Sequence, residues 1–339
     1  VNKQSFIDTD LQRSNGFQPF NRDIGLEYNL ASADNFWTGS LFYANTISPL
    51  QKDQSFAQAA SLAYKDNNWT FSAKESWVGE NYNPETGYVP RVNYFQTQFD
   101  AAKNFYPKNK STNLFYTTLS AMTMSYWNNQ GTFTDNTSYV AYEGTMKDRS
   151  TFGTYLSYDY VKLLYDFDAT RMGNTALKKG TEHDWYAVNA RYMSSPIKLF
   201  TYSLTSRLGG YYGKGWRTGI TADIGYRFQP YGSFSVALDY NDIVDVAIPS
   251  TDVMAAKKVS SNFWIIRPKI DITFSNKLFF ATFFQLNQQT KNINLNARLQ
   301  WRYKPASDLF LVYTDNYFPE IMQIRNRALV LKLNYWLNL

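Results

Sequence analysis

The sequence predicts an all-β fold, a transmembrane antiparallel up-and-down β-barrel of about 16–18 strands. Three observations predict it. Apolar and polar side chains alternate along segments of about ten residues, the length of a tilted strand that crosses a membrane. Aromatic residues make up 18% of the 339-residue chain, with 27 Tyr and 25 Phe. Long uninterrupted apolar runs are absent from the sequence, so a membrane-spanning helix is not predicted.

The alternation is clearest in residues 293–304. Odd positions there are apolar or aromatic, and even positions are polar or charged. Successive side chains of a strand point to opposite faces, so this pattern predicts a strand with one apolar and one polar face. The same pattern recurs at 216–228, 264–274 and 329–337. Apolar residues do not recur at intervals of three and four, so helices are not predicted.

About seventeen alternating segments follow one another from Asn21 onward. Val1–Phe6 has the pattern of the tail of one more strand, so residues 1–20 are predicted to be a partial strand and a loop. No linker divides the chain, and residues 1–339 are predicted to form a single outer-membrane barrel domain. Because the chain begins without Met or a signal peptide, we expect it to be a processed or truncated form. Strands of soluble proteins average about five or six residues, so segment length favours a membrane barrel over a sandwich.

Short and long connections mostly alternate, which is typical of barrels with tight periplasmic turns and longer extracellular loops. The first long connection contains Pro84 and Gly87. These residues shape either a surface lid or a constriction folded into the pore, or they belong to an ordinary extracellular loop. Pro268 lies inside a predicted strand and cannot donate a hydrogen bond, so we expect a bulge there. The long connections are predicted at Gly79–Asn93, Asp168–Asp184, Val244–Lys258 and Asp315–Arg327.

The charged residues give a net charge of +6, from 34 basic and 28 acidic side chains. They are scattered and mixed in sign, without a Lys/Arg cluster or a recognisable nucleic-acid-binding module, so no nucleic acid partner is predicted. The chain has no Cys and one His. This composition predicts no disulfide framework, no conventional metal site and no cofactor.

Three stretches of the sequence resemble an uncharacterised Bacteroidota outer-membrane family, and the resemblance covers essentially the whole chain. They are Asn21–Leu30, Leu299–Tyr313 and Glu80–Arg91, the last of which reads ENYNPETGYVPR. The resemblance implies the C-terminal β-barrel of proteins whose N-terminal domain is similar to carbohydrate-binding module family 9. It therefore implies a glycan partner that would bind through a domain not included in this sequence, and it supplies no catalytic residues.

The polar faces of the predicted strands would line the lumen of such a barrel. Arg residues concentrate in the later strands, so one interpretation is a selectivity ring or an anionic-ligand site. The other interpretation is that acids and bases of neighbouring strands pair and make the wall rigid. The candidate lumen-lining or ligand-lining residues are Glu27, Asp100, Arg191, Arg217, Asp223, Arg227, Asp239, Arg267, Lys269, Asp271, Arg298 and Arg302.

The predicted function is an outer-membrane channel or uptake-associated barrel linked to glycan handling in a Gram-negative bacterium. Its partners would be outer-membrane lipid, lipopolysaccharide and an outer-membrane protein complex. One alternative is a non-conducting barrel that anchors an N-terminal domain or is a subunit of such a complex. A second alternative is an outer-membrane hydrolase that uses His183 beside Asp184. A single His next to an acid is more typical of a loop edge, so no catalytic residue is assigned and the protein is predicted not to be an enzyme.

Overall fold

The computed structural model describes residues 20–49, 53–109, 111–248 and 257–337. Within these ranges the chain forms seventeen β-strands and one short 3₁₀ turn, Tyr212–Lys214. No helix in the described ranges is long and apolar enough to span a membrane. The strands are β1 (Arg22–Ala31), β2 (Trp37–Ile47), β3 (Phe56–Lys65), β4 (Trp69–Val78), β5 (Tyr94–Phe105), β6 (Leu114–Trp127), β7 (Phe133–Met146), β8 (Thr151–Lys162), β9 (Glu182–Met193), β10 (Phe200–Tyr211), β11 (Gly215–Phe228), β12 (Gly232–Ile248), β13 (Lys257–Thr273), β14 (Leu278–Asn287), β15 (Asn292–Lys304), β16 (Ser307–Phe318) and β17 (Gln323–Leu333).

All seventeen strands belong to one sheet. Strands that follow one another in sequence pair antiparallel, from β1 to β5 and from β9 to β17. The longest strands, β12 and β13, contain 17 residues each. The predicted fold class, all-β, antiparallel and up-and-down with a strand number in the predicted range, is confirmed. The partial strand predicted in residues 1–20 lies outside the described residues, except for Phe20.

The strand register separates the side chains into one polar and one apolar face. Arg227 of β11 lies opposite Ser233 of β12, which lies opposite Asp271 of β13. Residues directly opposite each other in an antiparallel pair share a face, so these three project to the polar side. On the other face, Ile220 and Ile224 of β11 are 41% and 43% exposed. A soluble sheet would cover such a face with a second layer of secondary structure.

The chain folds as two compact units, which are described separately. Unit 1 comprises residues 1–106, 118–142 and 157–164. A buried cluster lies on the polar face, where Tyr82 packs with Ala44, Ala57 and Val78. Tyr82 belongs to the connection between β4 and β5, so this long connection folds over the polar face of the sheet. The small side chains of Ala44 and Ala57 leave room for it.

Hydrogen bonds fix the backbone of the connection between β4 and β5. The Gly79 amide donates to the Phe56 carbonyl (2.9 Å), and the Asn81 amide donates to the Gln54 carbonyl (3.0 Å). Further along, the Arg91 guanidinium pairs with the Asp135 carboxylate (2.8 Å). The connection therefore has a defined conformation on the polar face. The interpretation of this connection as a lid or constriction requires such a conformation.

Unit 2 comprises residues 107–117, 143–156 and 165–339. Its long connection before β9 also folds over the polar face, because the Ser261 hydroxyl on that face donates to the Met172 sulfur (2.7 Å). Ala169, Thr170 and Leu177 of this connection are buried. Two apolar residues of the polar face, Ile243 and Phe263, are also buried.

One of the predicted long connections, Asp315–Arg327, is mostly strand, which corrects the sequence interpretation. β16 continues to Phe318 and β17 begins at Gln323. The charged residues that suggested a loop instead pair across the two strands, as Asp315 and Arg327 do (2.8 Å). The predicted connection Val244–Lys258 is shortened in the same way, because β12 and β13 both extend into it.

The bulge expected at Pro268 is absent, and this prediction was wrong. Pro268 pairs with Val236 of β12 in regular register. Towards β14, the pairs on either side of the proline, Ile266 with Leu286 and Lys269 with Phe283, keep one register. The missing amide hydrogen therefore interrupts the ladder to β14 locally without shifting it.

Candidate functional site

The candidate residues predicted from the sequence share the polar face in each unit. In unit 1, Glu27 lies on β1 and Asp100 on β5. Asp100 accepts hydrogen bonds from the Ser72 hydroxyl (2.8 Å) and the Gln98 amide (2.9 Å). The register places the ten candidates of unit 2 on one face of β9 to β15: Arg191, Arg217, Asp223, Arg227, Asp239, Arg267, Lys269, Asp271, Arg298 and Arg302.

Several of these charges are neutralised by a carboxylate or fixed by the backbone. Lys269 pairs with Asp271 two residues along β13 (2.8 Å), and Arg302 pairs with Asp308 of β16 (3.2 Å). Arg227 donates to the Pro196 carbonyl (2.5 Å) in the turn between β9 and β10. For these residues the arrangement matches the structural interpretation, in which pairing makes the wall rigid.

A cavity of about 400 Å³ lies on the polar face of unit 2, between β10–β13 and the connection before β9. Four guanidinium groups line it together with a single carboxylate, that of Asp239. Among its described residues the lining therefore carries four positive charges and one negative charge. The charged lining residues are Arg171, Arg207, Arg217, Arg267 and Asp239.

One wall of the cavity is a charge pair. The Arg267 guanidinium on β13 contacts the Asp239 carboxylate on β12 (2.5 Å). The second carboxylate oxygen of Asp239 accepts a hydrogen bond from the Thr221 hydroxyl on β11 (2.7 Å). This network joins three strands, and within it the Arg267 guanidinium balances the negative charge of Asp239.

Arg217 on the neighbouring strand β11 also lines the cavity, and neutral groups hold its guanidinium. Its Nε and Nη2 atoms donate to the Asn241 Oδ1 atom (3.0 and 2.7 Å). The guanidinium carbon also lies 5.5 Å from the centroid of the Tyr211 ring, a favourable cation–π contact. These contacts fix the position of the charge and do not cancel it.

Arg207 on β10 is held in a similar way. Its Nη1 atom donates to the Arg217 carbonyl (3.2 Å) and its Nη2 atom to the Gly210 carbonyl (2.7 Å). Its guanidinium carbon lies 5.8 Å from the centroid of the Tyr211 ring. Arg207 and Arg217 therefore flank one buried aromatic ring, and both are oriented by neutral acceptors.

The connection that covers the cavity is ordered around one carboxylate. Asp168 accepts hydrogen bonds from the Thr170 hydroxyl (2.7 Å) and from the backbone amides of Thr170, Gly173 and Asn174 (2.9 Å each). Burial of this carboxylate raises its pKa, but these hydrogen bonds outweigh that effect and hold the pKa of Asp168 below 3.8. The turn places Ala169, Thr170 and Arg171 against the cavity.

Two further contacts close this connection at its base. Phe167 and Leu177 form an isolated antiparallel bridge, with backbone hydrogen bonds of 2.9 and 2.8 Å. Lys178 pairs with Asp166 (2.8 Å) beside it. The segment between Phe167 and Leu177 is therefore a closed loop whose ends are fixed to each other.

Sequence reasoning identified Arg217, Asp239 and Arg267 but missed the other two arginines of the cavity. Arg207 alternates with apolar residues along β10, so the period-two signal was present in the sequence. Arg171 lies in an irregular connection, where no periodicity indicates the direction of a side chain.

His183 lies at the start of β9, and both of its ring nitrogens are engaged. The Nε2 atom is 2.9 Å from the Thr181 hydroxyl, and the Nδ1 atom accepts a hydrogen bond from the Gly213 amide (3.2 Å). The ring also packs edge-on against Tyr212, at 5.7 Å between centroids. In the described part of the chain, no group of three or more His, Cys, Asp or Glu side chains could hold a metal ion.

Residues 2–247 match the family described as "Domain of unknown function (DUF5916)". The chain belongs to the DUF5916 family. The matched residues include Arg171, Arg207, Arg217 and Asp239 of the cavity, whereas Arg267 lies beyond them. No curated protein matches this DUF5916 chain in sequence.

Two solved structures are similar to the DUF5916 chain. One is the ferric enterobactin receptor PfeA from Pseudomonas aeruginosa, with 8% identity and a TM-score of 0.39 over 88% of this chain and 65% of that one. The other is the siderophore receptor PirA from Acinetobacter baumannii, with 9% identity and a TM-score of 0.38 over 91% of this chain and 66% of that one. The DUF5916 chain thus spans just under two thirds of the length of each receptor.

Proposed function

We propose that this DUF5916 chain is an uptake-associated β-barrel of the bacterial outer membrane, in which the apolar face contacts lipid and the polar face contacts solute. The single observation that carries the proposal is that the apolar face of the sheet is exposed, while the charged residues lie on the other face. Leu204 of β10 is 50% exposed and Trp216 of β11 is 49% exposed, while charged residues of the same strands cluster on the other face. Lipid is the surrounding that makes such an apolar face stable, because no second layer formed by the described residues covers it.

Solute would move along the polar face through a restricted path. In unit 1 the connection between β4 and β5 folds over that face, and in unit 2 the connection before β9 does so. A wide, permanently open pore would leave its polar wall uncovered. We therefore favour selective uptake of small solutes over general diffusion.

Glycan handling remains part of the proposal through the family resemblance of the sequence. In proteins with that architecture a carbohydrate-binding N-terminal domain would capture a glycan, and the barrel would admit or anchor it. Outer-membrane lipid and lipopolysaccharide are the proposed partners of the apolar face. The proposal assigns the chain no catalytic role, and His183 is used to hold the start of β9.

The test is reconstitution of the detergent-purified chain into planar bilayers. We expect small, selective openings for the wild-type protein. Asp168→Asn loosens the connection before β9, so it should give larger openings. Circular dichroism and heat-modified electrophoretic mobility would establish that each protein is folded. A chain that stays folded and monomeric in water without detergent would disprove the membrane assignment.

The non-conducting scaffold is the second candidate function, and the two folded-over connections favour it. A barrel filled by its own loops anchors other proteins without conducting ions. Folded protein that is silent in bilayers, with Asp168→Asn equally silent, would support the scaffold. Stoichiometric co-purification of another outer-membrane protein would support it further.

A further inference from the structure

We propose that the arginine-lined cavity of unit 2 is a binding site for a small, multiply charged oxyanion, a soluble molecule that carries carboxylate, phosphate or sulfate groups. A role for this site in binding solute transiently during uptake rests on the proposed uptake function. Binding itself rests on the cavity alone.

The first argument is the charge of the lining. Arg267 is matched by Asp239 (2.5 Å), so this pair contributes no net charge. Arg171, Arg207 and Arg217 also line the cavity, whose described lining residues include no carboxylate besides Asp239. Three guanidinium groups around one cavity repel each other, and an anion with more than one charge would relieve that repulsion.

The second argument is that the charges are already positioned. Arg217 is fixed by the Asn241 side-chain oxygen, and Arg207 is fixed by two backbone carbonyls. The neutral amide oxygen of Asn241 orients the Arg217 guanidinium without neutralising its charge. Because little side-chain freedom remains to be lost, an anion would bind here more tightly than on flexible surface arginines.

The third argument is enclosure. Ala169 and Thr170 are 3% and 1% exposed, and with Arg171 they cover the cavity from the side opposite the sheet. Ile243 and Phe263 of the strands also line the cavity and are buried. Charge-assisted hydrogen bonds are stronger in such a partly desolvated place than on an open surface.

These features select the class of ligand. Guanidinium groups bind carboxylate, phosphate and sulfate through paired parallel hydrogen bonds. The volume of about 400 Å³ suits a small molecule rather than a polymer. The apolar patch formed by Tyr211, Ile243 and Phe263 would contact the carbon skeleton of the ligand.

The test is isothermal titration calorimetry of the folded, detergent-purified chain with four probes: citrate, glucose 6-phosphate, inorganic sulfate and uncharged glucose. We expect at least one of the three anions to bind, more weakly as salt is raised, and glucose not to bind. Arg171→Gln should weaken the binding by about tenfold or more, since it removes a charged hydrogen-bonding partner from the cavity. Arg171 lies outside the strands, so this substitution leaves the sheet intact.

The matched control is Arg298→Gln, which removes the same charge from the same polar face. Arg298 lies on β15 outside the cavity lining, so affinity should stay within about twofold of wild type. Arg217→Lys keeps the charge but loses the planar fork, and it should bind more weakly than wild type. The three anions distinguish carboxylate, phosphate and sulfate as the preferred group.

Two outcomes would overturn the proposal. One is the absence of binding by all three anions to folded protein. The other is equal weakening by Arg171→Gln and Arg298→Gln, which would show a diffuse charge effect. Calorimetry requires no conduction, so anion binding by a protein that is silent in bilayers would support the site and refute the uptake function. Ion conduction by a protein that binds none of the three anions would support the uptake function and refute the binding site.

Discussion

Asp315 on β16 and Arg327 on β17 form an ion pair on the apolar face of the sheet (2.8 Å). The hydroxyls of Tyr313 and Tyr317 also donate to the same carboxylate oxygen (2.6 Å each). Asp315 is fully buried by these neighbours. A charge pair on the face proposed to contact lipid is stable only while each group has its partners.

We therefore expect Asp315→Asn and Arg327→Gln each to lower the midpoint of thermal unfolding. Either substitution leaves the other group without its charged partner. The double variant should lose less stability than the two single losses added together. The measurement is thermal unfolding followed by electrophoretic mobility in detergent. Additive losses would show that the pair contributes no coupling.

The lipid-facing assignment predicts opposite results for neighbouring residues of β11. Ile224→Arg places a charge on the apolar face and should destabilise the protein by about 2–4 kcal/mol near the middle of the bilayer, and by less near the interface. Asp223→Arg places the same charge on the polar face, and it should be tolerated. Urea unfolding in lipid vesicles would compare the two. Equal effects would argue against the assignment of the two faces.

The connection between β4 and β5 predicts a steric effect at Gly79. A Cβ atom there would lie 2.0 Å from the Gln54 carbonyl oxygen, so Gly79→Ala must displace one of the two backbones. Overpacking of this kind costs about 1–3 kcal/mol. Limited proteolysis should therefore cut this connection faster in the variant. Gly87→Ala is the control, because its nearest neighbour would be an ordinary 3.6 Å away.

The connection before β9 predicts a pH dependence. Hydrogen bonds hold the pKa of Asp168 below its ordinary value, so the ionised form stabilises the folded loop at every pH above the ordinary carboxyl pKa. This contribution is lost as pH falls below that value and through the folded-state pKa. The protection of the Gly173 and Asn174 amides from hydrogen exchange, relative to their intrinsic rates at each pH, should be strong at pH 5 and weak in stronger acid. In Asp168→Asn exchange should already be fast at pH 5, and slow exchange there would contradict the role of the carboxylate.

Most of the fold could be predicted because period-two alternation is a local signal. The strand from Asn292 to Lys304 follows the pattern over its full length. Errors arose where polar residues are paired by tertiary contacts. In the sequence, the charged residues Asp315 and Arg327 are typical of a loop. In the structure they pair across two neighbouring strands.

The candidate site was predictable only in part, for a related reason. Arg217, Asp239 and Arg267 follow from alternation along single strands. Their different roles depend on which partner each one meets across the sheet, as Asp239 meets Arg267 (2.5 Å). The position of Arg171 depends on the turn around Asp168, and no short sequence pattern specifies how that turn lies against the strands.

The orientation of Arg207 and Arg217 by neutral acceptors has a consequence for acid–base behaviour. A guanidinium group does not release its proton in the physiological range. Any change of affinity between about pH 5 and pH 8 would therefore report the ionisation of the bound molecule. A sulfate ester would bind equally well across that range, whereas a phosphate ester would bind more tightly as it loses its second proton near about pH 6. The dependence of affinity on pH would thus distinguish a bound sulfate ester from a bound phosphate ester.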